Sequence, residues 1–187
     1  YSPTDGGLFF LMQRVVYGVV GLFTTPAQGA IQSVFATTQP GQEKRFRRLF
    51  LGLGAALTVV ASAIALTLLA APLFFPVIFG PEWIGTGALA IAWAPAVLGT
   101  TVAGPLSLLD FLHRQHWNLV WAALFNLMIA ASFYVAADAG WSAVTAVAIY
   151  SWGSLVFYIA LIAMNWIALR RRLVGDARTG ADGVALP

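Results

Sequence analysis

The sequence predicts an all-α integral membrane protein with five transmembrane helices, on the basis of its composition and the spacing of its charges. Of the 187 residues, 60% are hydrophobic and 9% are charged, whereas soluble domains carry roughly 25% charged residues. The charges separate five long uncharged runs, each sufficient for the ~20-residue helix that crosses a ~30 Å hydrocarbon core. These runs do not alternate in polarity, as the strands of a membrane β-barrel would.

The five predicted spans form one helical domain over residues 1–172. They cover residues 8–37, 49–76, 88–109, 118–137 and 142–169. Pro72 and Pro76 predict a break or kink at the end of the second span, because proline cannot donate the helical hydrogen bond. Residues 173–187 are small and polar, and we expect them to form a disordered cytoplasmic tail.

The positive charges predict the orientation of the helices. Lys and Arg follow the first, third and fifth predicted spans, at residues 44–48, 114 and 170–172. With the amino terminus outside and the carboxyl terminus in the cytoplasm, nine of the ten Lys and Arg residues lie inside, as the positive-inside rule requires. We therefore expect a multi-pass protein of a plasma membrane. An odd number of spans that begins outside, without a recognisable signal peptide, also predicts earlier spans in a longer protein.

Polar side chains recur at helical spacing along the first span. One face carries Gln13, Tyr17, Thr24, Gln28 and Gln32, with Arg14 and Thr25 beside it. Residues three or four apart share a helix face, and polar groups are costly against lipid tails. We expect this face either to line a water-filled cavity, where it binds sugar hydroxyls, or to form interhelical hydrogen bonds. The first interpretation makes this span the cavity-lining helix.

Arg14 lies about two turns inside the first span. A guanidinium matches phosphate geometry and keeps its charge when partly desolvated, so one interpretation is a contact with a lipid diphosphate or an anionic sugar. The alternative is a snorkelling side chain or an ion pair with Asp5 or Asp138.

Asp110 lies near His113 and His116 after the third span. This grouping allows proton coupling, whereas the simpler interpretation is a solvated loop at the membrane surface. We predict no metal site, because the His-x-x-His pair lacks a third ligand and the chain has no cysteine. Enzyme and cofactor motifs are absent from the sequence. The positions of the basic residues are explained by membrane topology and give no indication of nucleic-acid binding.

Three stretches of the chain together resemble one transporter family. Residues 7–14, GLFFLMQR, are similar to a Gly-x-Tyr-x-x-Ala-x-Arg motif, with Phe9 and Met12 at the Tyr and Ala positions. Residues 43–50 resemble a basic segment that precedes the next helix, and residues 79–83 resemble a Phe-Gly-x-x-Trp turn. In this order they resemble the opening of the eighth helix and the connections that follow it in the polysaccharide-exporter family. These proteins are flippases of lipid-linked oligosaccharides, in the superfamily that also contains the multidrug antiporters.

The resemblance implies that the five spans correspond to helices eight to twelve, most of the carboxyl-terminal lobe of a two-lobe flippase. The implied function is movement of polyprenyl-diphosphate-linked oligosaccharide across the bacterial inner membrane for surface polysaccharide synthesis. The implied partners are that lipid-linked substrate, the bilayer and the amino-terminal lobe of the same protein. A multidrug or small-molecule antiporter is one alternative, although it needs an acid within a span. A membrane scaffold subunit that does not transport is another.

Overall fold

The computed structural model describes the backbone of residues 3–37, 43–108 and 115–182, and the side chains of residues 6–37, 44–108 and 116–169. The described chain is helical throughout apart from short turns. Its helices are α1 Pro3–Thr37, α2 Glu43–Leu69, α3 Ala71–Phe79, α4 Thr86–Ala103, α5 Gln115–Asp138 and α6 Ala143–Asp182, with a short 3₁₀ helix at Pro81–Trp83. Five of these helices, all except the short α3, are long and apolar enough to cross a membrane. The predicted fold class, a multi-pass helical membrane protein, is confirmed.

The second predicted span consists of two helices, α2 and α3. The Ala70 N–H shares its hydrogen bond between the carbonyls of Leu66, at 3.3 Å, and Thr67, at 3.0 Å. Pro72 follows within the first turn of α3 and has no N–H with which to continue the helical ladder. The predicted effect of the prolines is therefore confirmed as a break at Ala70. An added Cβ on Gly87 would lie 2.7 Å from the Pro72 Cα, so α3 packs directly against the start of α4.

Helix α4 ends at Ala103, six residues before the predicted end of the third span at residue 109. Gly104 keeps α-helical backbone angles, with φ −55° and ψ −57°, and its N–H still bonds to the Thr100 carbonyl, but Pro105 has no N–H with which to continue the helical hydrogen bonds. A turn follows, in which the Ser107 N–H bonds to the Gly104 carbonyl at 3.3 Å. Proline thus ends this helix, whereas Pro95 is accommodated inside it.

Helix α4 is the centre of the lobe. In the apolar segment of α4, 61% of the residues are buried, compared with 17% in that of α1 and 6% in that of α5. Its most extensive contacts are with α6 and then with α2. The cause is its sequence, because alanine and glycine at eight of its 18 positions allow neighbouring helices to approach from several sides.

The hydrophobic core has two large parts, one toward each end of the bundle, and a small third cluster around Ala103 and Leu161. At one end, α1, α3, α4 and α6 contribute residues such as Val16, Phe75, Trp93 and Val147. At the other end, Ile31 and Phe46 pack with Leu169 and with the segment after α4. This second end carries the basic residues at the start of α2 and those of α6 that directly follow Leu169, and it is called the basic end below.

The carboxyl end of α6 differs from the prediction. Its backbone is helical to Asp182, whereas residues 173–187 are predicted to form a disordered tail. Extending an existing helix by one residue costs far less than nucleating a new one, so residues of modest helix propensity continue a long span. Residues 183–187 lie outside the described part of the chain.

Candidate functional site

Helix α1 divides into three sectors around its axis. The buried side chains Met12, Val16, Val20, Ala27 and Ile31 form a packing stripe against the rest of the lobe. This stripe contacts α2 and α4. Its spacing of four and seven residues keeps these side chains on one face. The polar residues predicted from the sequence and an apolar, exposed sector occupy the remaining circumference.

The predicted polar face lies beside the packing stripe. One residue turns an α-helix by about 100°. The polar residues are all rotated away from the packing stripe in the same direction around the helix axis, so they lie together on one side of it. Gln13, Thr24 and Gln32 are partly buried at the margin of the packing stripe, whereas Arg14, Tyr17, Thr25 and Gln28 are exposed. We call these seven residues the polar flank. On the other side, Leu11, Val15 and Leu22 are exposed and suited to lipid.

Tyr17 is the member of the polar flank that is also a packing residue. Its ring makes an edge-on contact with Trp93 of α4, with 5.1 Å between the ring centroids. Phe9 contacts the same indole at 5.8 Å. Trp93 is fully buried and lies seven residues into α4, about 10 Å from its start. The two contacts therefore fix the depth of α1 relative to the central helix.

The other polar side chains of the flank have no hydrogen-bond partner among the described residues. The amides of Gln13, Gln28 and Gln32 and the hydroxyls of Thr24 and Thr25 make no hydrogen bond to another helix. The interhelical interpretation of the stripe is therefore not realised within residues 3–37, 43–108 and 115–182. An amide offers two donors and an acceptor, and a hydroxyl offers one donor and accepts as well. The polar flank can thus bind either water or a hydroxyl-rich ligand.

Arg14 is exposed on the polar flank, close to the depth at which Trp93 meets α1. No carboxylate lies within ion-pair distance of it in the described part of the chain. Asp138 ends α5, which shares no substantial contact with α1, so the Arg14–Asp138 pair does not form. The side chain of Asp5 lies outside the described residues. The guanidinium is thus open to an anion that approaches the polar flank.

The predicted coupling candidate Asp110 and its neighbour His113 lie outside the described residues. His116 is exposed at the start of α5, with its ring 5.9 Å from that of Trp117. Among the described side chains, no three His, Asp or Glu residues come together as metal ligands.

Sequence reasoning missed a cluster of buried polar groups between α4 and α6. The Trp93 Nε1 and the hydroxyls of Ser151 and Ser154 are buried and make no hydrogen bond within the described chain. Tyr150 lies beside both Trp93 and Ser154. Serine and tyrosine at positions 150, 151 and 154 share one face of α6, and this spacing is the signal that could have identified them. The cluster lies behind Tyr17 and connects the polar flank to the interior of the lobe.

The described arrangement is an uncovered polar surface on α1. One flank of α1 presents neutral donors and acceptors, a guanidinium and an aromatic ring, and no helix of the described chain covers it. Comparisons of this chain with protein-family models, with curated proteins and with solved structures find no match.

Proposed function

We propose that this chain forms the carboxyl-terminal lobe of a flippase that moves polyprenyl-diphosphate-linked oligosaccharide across the bacterial inner membrane for surface polysaccharide synthesis. The observation that carries the proposal is the uncovered polar flank of α1. Polar groups within a span are costly against lipid, and those of the polar flank have no partner in the described lobe. A water-filled cavity between this lobe and a second one removes that cost.

The chemistry of the polar flank suits a glycan. Gln28 and Gln32 are one turn apart, and neutral amides exchange hydrogen bonds with sugar hydroxyls without the desolvation cost of a charge. Arg14 lies nearer the amino-terminal end of the same surface, where its guanidinium matches a diphosphate or an acidic sugar. An uncharged lining with a single cation therefore fits a large neutral oligosaccharide attached to an anionic lipid.

The distribution of positive charge supports an orientation with the basic end in the cytoplasm. The Arg47 guanidinium lies 5.7 Å from the centre of the Trp166 ring, so the start of α2 and the end of the α6 span meet at the same level. Tryptophan and arginine are typical of a membrane interface. In this orientation the amino terminus lies outside, and Arg14 lies in the half of the lobe nearer the outer surface.

The second lobe would be the amino-terminal half of the same protein. Transporters with two related halves bind their cargo between the halves and expose it alternately by rocking one half against the other. The polar flank then forms one wall of the cavity. A proton-coupled multidrug antiporter would need a titratable acid inside a span. All seven Asp and Glu residues of the sequence lie outside the predicted spans. A scaffold subunit would instead cover the polar flank with a helix of its partner through interhelical hydrogen bonds.

The proposal is tested by replacing Gln28 in the natural protein of its source cells. Gln28→Leu removes a sugar contact, and the loss of one or two hydrogen bonds of about 1 kcal/mol each lowers export by roughly fivefold to thirtyfold. Lipid-linked oligosaccharide then accumulates on the cytoplasmic side, which is measured by extraction and mass spectrometry. The matched control is Asn126→Leu, because the Asn126 amide bonds only to the Ala122 carbonyl of its own helix, at 2.8 Å.

Two results would contradict the proposal. One is normal surface polysaccharide, without accumulation of the lipid-linked precursor, in cells that lack the protein. The other is equal loss of export in Gln28→Leu and Asn126→Leu at equal protein abundance, which would indicate general damage to the membrane domain. Drug sensitivity without a change in polysaccharide would favour the antiporter.

A further inference from the structure

An open apolar groove lies between α2, α4 and α6. Its volume is about 720 Å³, and its lining includes Leu66, Leu69, Ala88, Ile91, Trp152 and Leu155. Ser62 and Trp152 supply the only polar side-chain atoms among its lining residues. Small-molecule pockets in proteins measure roughly 300–1,000 Å³, so the groove is large enough to hold a ligand.

The groove is separate from the polar flank of α1. Ile91, Pro95 and Leu98 line it from α4, whereas Trp93 contacts α1 from the same helix. At about 100° of rotation per residue, these three positions lie roughly 140–200° away from Trp93. The groove therefore opens on the side of the lobe that faces away from α1.

The groove covers only half of the membrane-spanning length. It begins at Leu69, Ala88 and Val144, beside the helix ends opposite the basic end, and extends to Leu98 and Leu155. Along α4 this distance is ten residues, or about 15 Å at 1.5 Å per residue, which is half of a ~30 Å hydrocarbon core.

At mid-depth the groove is closed by packing. Leu98 packs against the core cluster of the basic end, which contains Ala61 and Val102. Nearer the basic end, α2 meets the segment after α4, since an added Cβ on Gly54 would lie 3.5 Å from the Leu106 Cδ1. The three helices are thus open over one leaflet and closed over the other.

This depth distinguishes between possible occupants. A transmembrane helix crosses both leaflets, so a helix seated here would need a concave surface over the whole span. One hydrocarbon chain of a lipid occupies a single leaflet and matches the observed length. The lining also fits a hydrocarbon chain. Leu66 and Trp152 are 66% and 61% exposed, and the lining residues carry no charge.

We propose that the groove binds one hydrocarbon chain of a membrane lipid from the leaflet opposite the basic end. The chain enters beside Leu69 and Ala88 and ends at Trp152 and Leu98. Contact with three helices holds it longer than the lipids around the convex surface of α5. The site is independent of the transport proposal, because it requires only that the lobe spans a membrane.

The test is photo-crosslinking of the natural protein in phosphatidylcholine nanodiscs that contain a small fraction of phosphatidylcholine with a diazirine in one acyl chain. We expect residues 62–69, 88–98 and 144–155 to be labelled several-fold more than the exposed residues 119–127 of α5, with saturation as the labelled fraction rises. A diazirine near the ester should mark Leu69 and Ala88, and one near the chain end should mark Trp152 and Leu98. Peptide mass spectrometry measures both.

A matched pair of variants separates the groove from the general lipid surface. Ala88 and Ala160 are both exposed alanines of membrane-spanning helices, but only Ala88 lines the groove. Ala88→Phe should reduce groove labelling several-fold, and Ala160→Phe should leave it unchanged. If Ala88→Phe does not fold, the saturation and depth pattern of the unmodified protein still decide the question.

Three results would overturn the proposal. If the crosslinking yield of the groove rises linearly with the fraction of diazirine lipid and equals the yield of α5, the groove makes only ordinary bilayer contact. An unlabelled groove beside a labelled α5 would mean that protein covers it. Labelling without the predicted order of depth would mean that the chain does not lie along the groove.

Discussion

At the scale of single residues, several polar side chains within the spans form hydrogen bonds with the backbone of their own helix. Thr58, Thr67, Thr101 and Ser132 each donate to the carbonyl four residues earlier, which removes a donor from lipid without joining two helices. Asn165 is different. Its Oδ1 accepts a hydrogen bond from the Leu108 N–H at 2.7 Å, while its Nδ2 donates to the Leu161 carbonyl at 2.8 Å. This amide joins α6 to the irregular segment after α4.

We predict that Asn165→Leu destabilises the lobe by about 1–3 kcal/mol, because the Leu108 N–H is then buried without a partner. A fall in the thermal unfolding midpoint of the protein in detergent measures this loss. Asn126→Leu is the control and should change the midpoint little, since that exposed amide serves only its own helix. Equal effects of the two variants would remove the special role of Asn165.

At the scale of elements, the close contact between α4 and α6 depends on glycine. An added Cβ on Gly99 would lie 2.7 Å from the Tyr158 Cδ2 and 3.1 Å from its Cβ. The Tyr158 ring cannot move away easily, because the ring of Phe125 on α5 lies 5.4 Å from it. Small residues thus set the distance between the two helices that share the largest interface.

Gly99→Ala is therefore expected to destabilise the lobe by about 1–3 kcal/mol through overpacking. Gly18 of α1 has open space around its Cβ position, so Gly18→Ala should be neutral or stabilising by up to about 1 kcal/mol, because alanine is the better helix former. Unfolding midpoints of the two variants in the same detergent provide the comparison. A Gly99→Ala protein as stable as Gly18→Ala would show that α4 and α6 are further apart than described.

The number and order of these elements were predictable, but their neighbours were not. Charge spacing and hydropathy predicted the five spans, and Pro72 predicted the break between α2 and α3. The central position of α4 was missed, because a helix that is apolar on every side gives no periodic signal that separates protein contact from lipid contact. Helical spacing was enough to place the polar residues of α1 on one side of that helix, whereas the partner of Asn165 lies 57 residues away and no local pattern indicates it.

At the scale of the whole molecule, the spans alternate in direction and bring the basic segments of α2 and α6 to the same end. Phe46 and Leu169 belong to the same core cluster, so the start of α2 and the end of the α6 span lie together. The turn after α5, which contains Gly140 with a φ of +67°, belongs to the opposite end. These two ends should lie on different sides of the membrane.

We expect cysteine labelling to show this sidedness. The chain contains no cysteine, and Lys44 and Ala139 are both exposed, so Lys44→Cys and Ala139→Cys each add one accessible thiol. A maleimide that cannot cross membranes should label Ala139→Cys when it is added from outside, and Lys44→Cys only after lysis, because positive charge is retained in the cytoplasm. The reverse pattern would invert the orientation, and labelling of both without lysis would contradict the alternating topology.

The central position of α4 also constrains biosynthesis. Its largest interface is with α6, the last of the five spans to leave the ribosome. Until α6 is inserted, the small residues of α4 have no partner on that side. Assembly of the lobe is therefore completed only after translation of residue 169, so a ribosome that stalls within α5 would leave an open intermediate for membrane proteases to degrade.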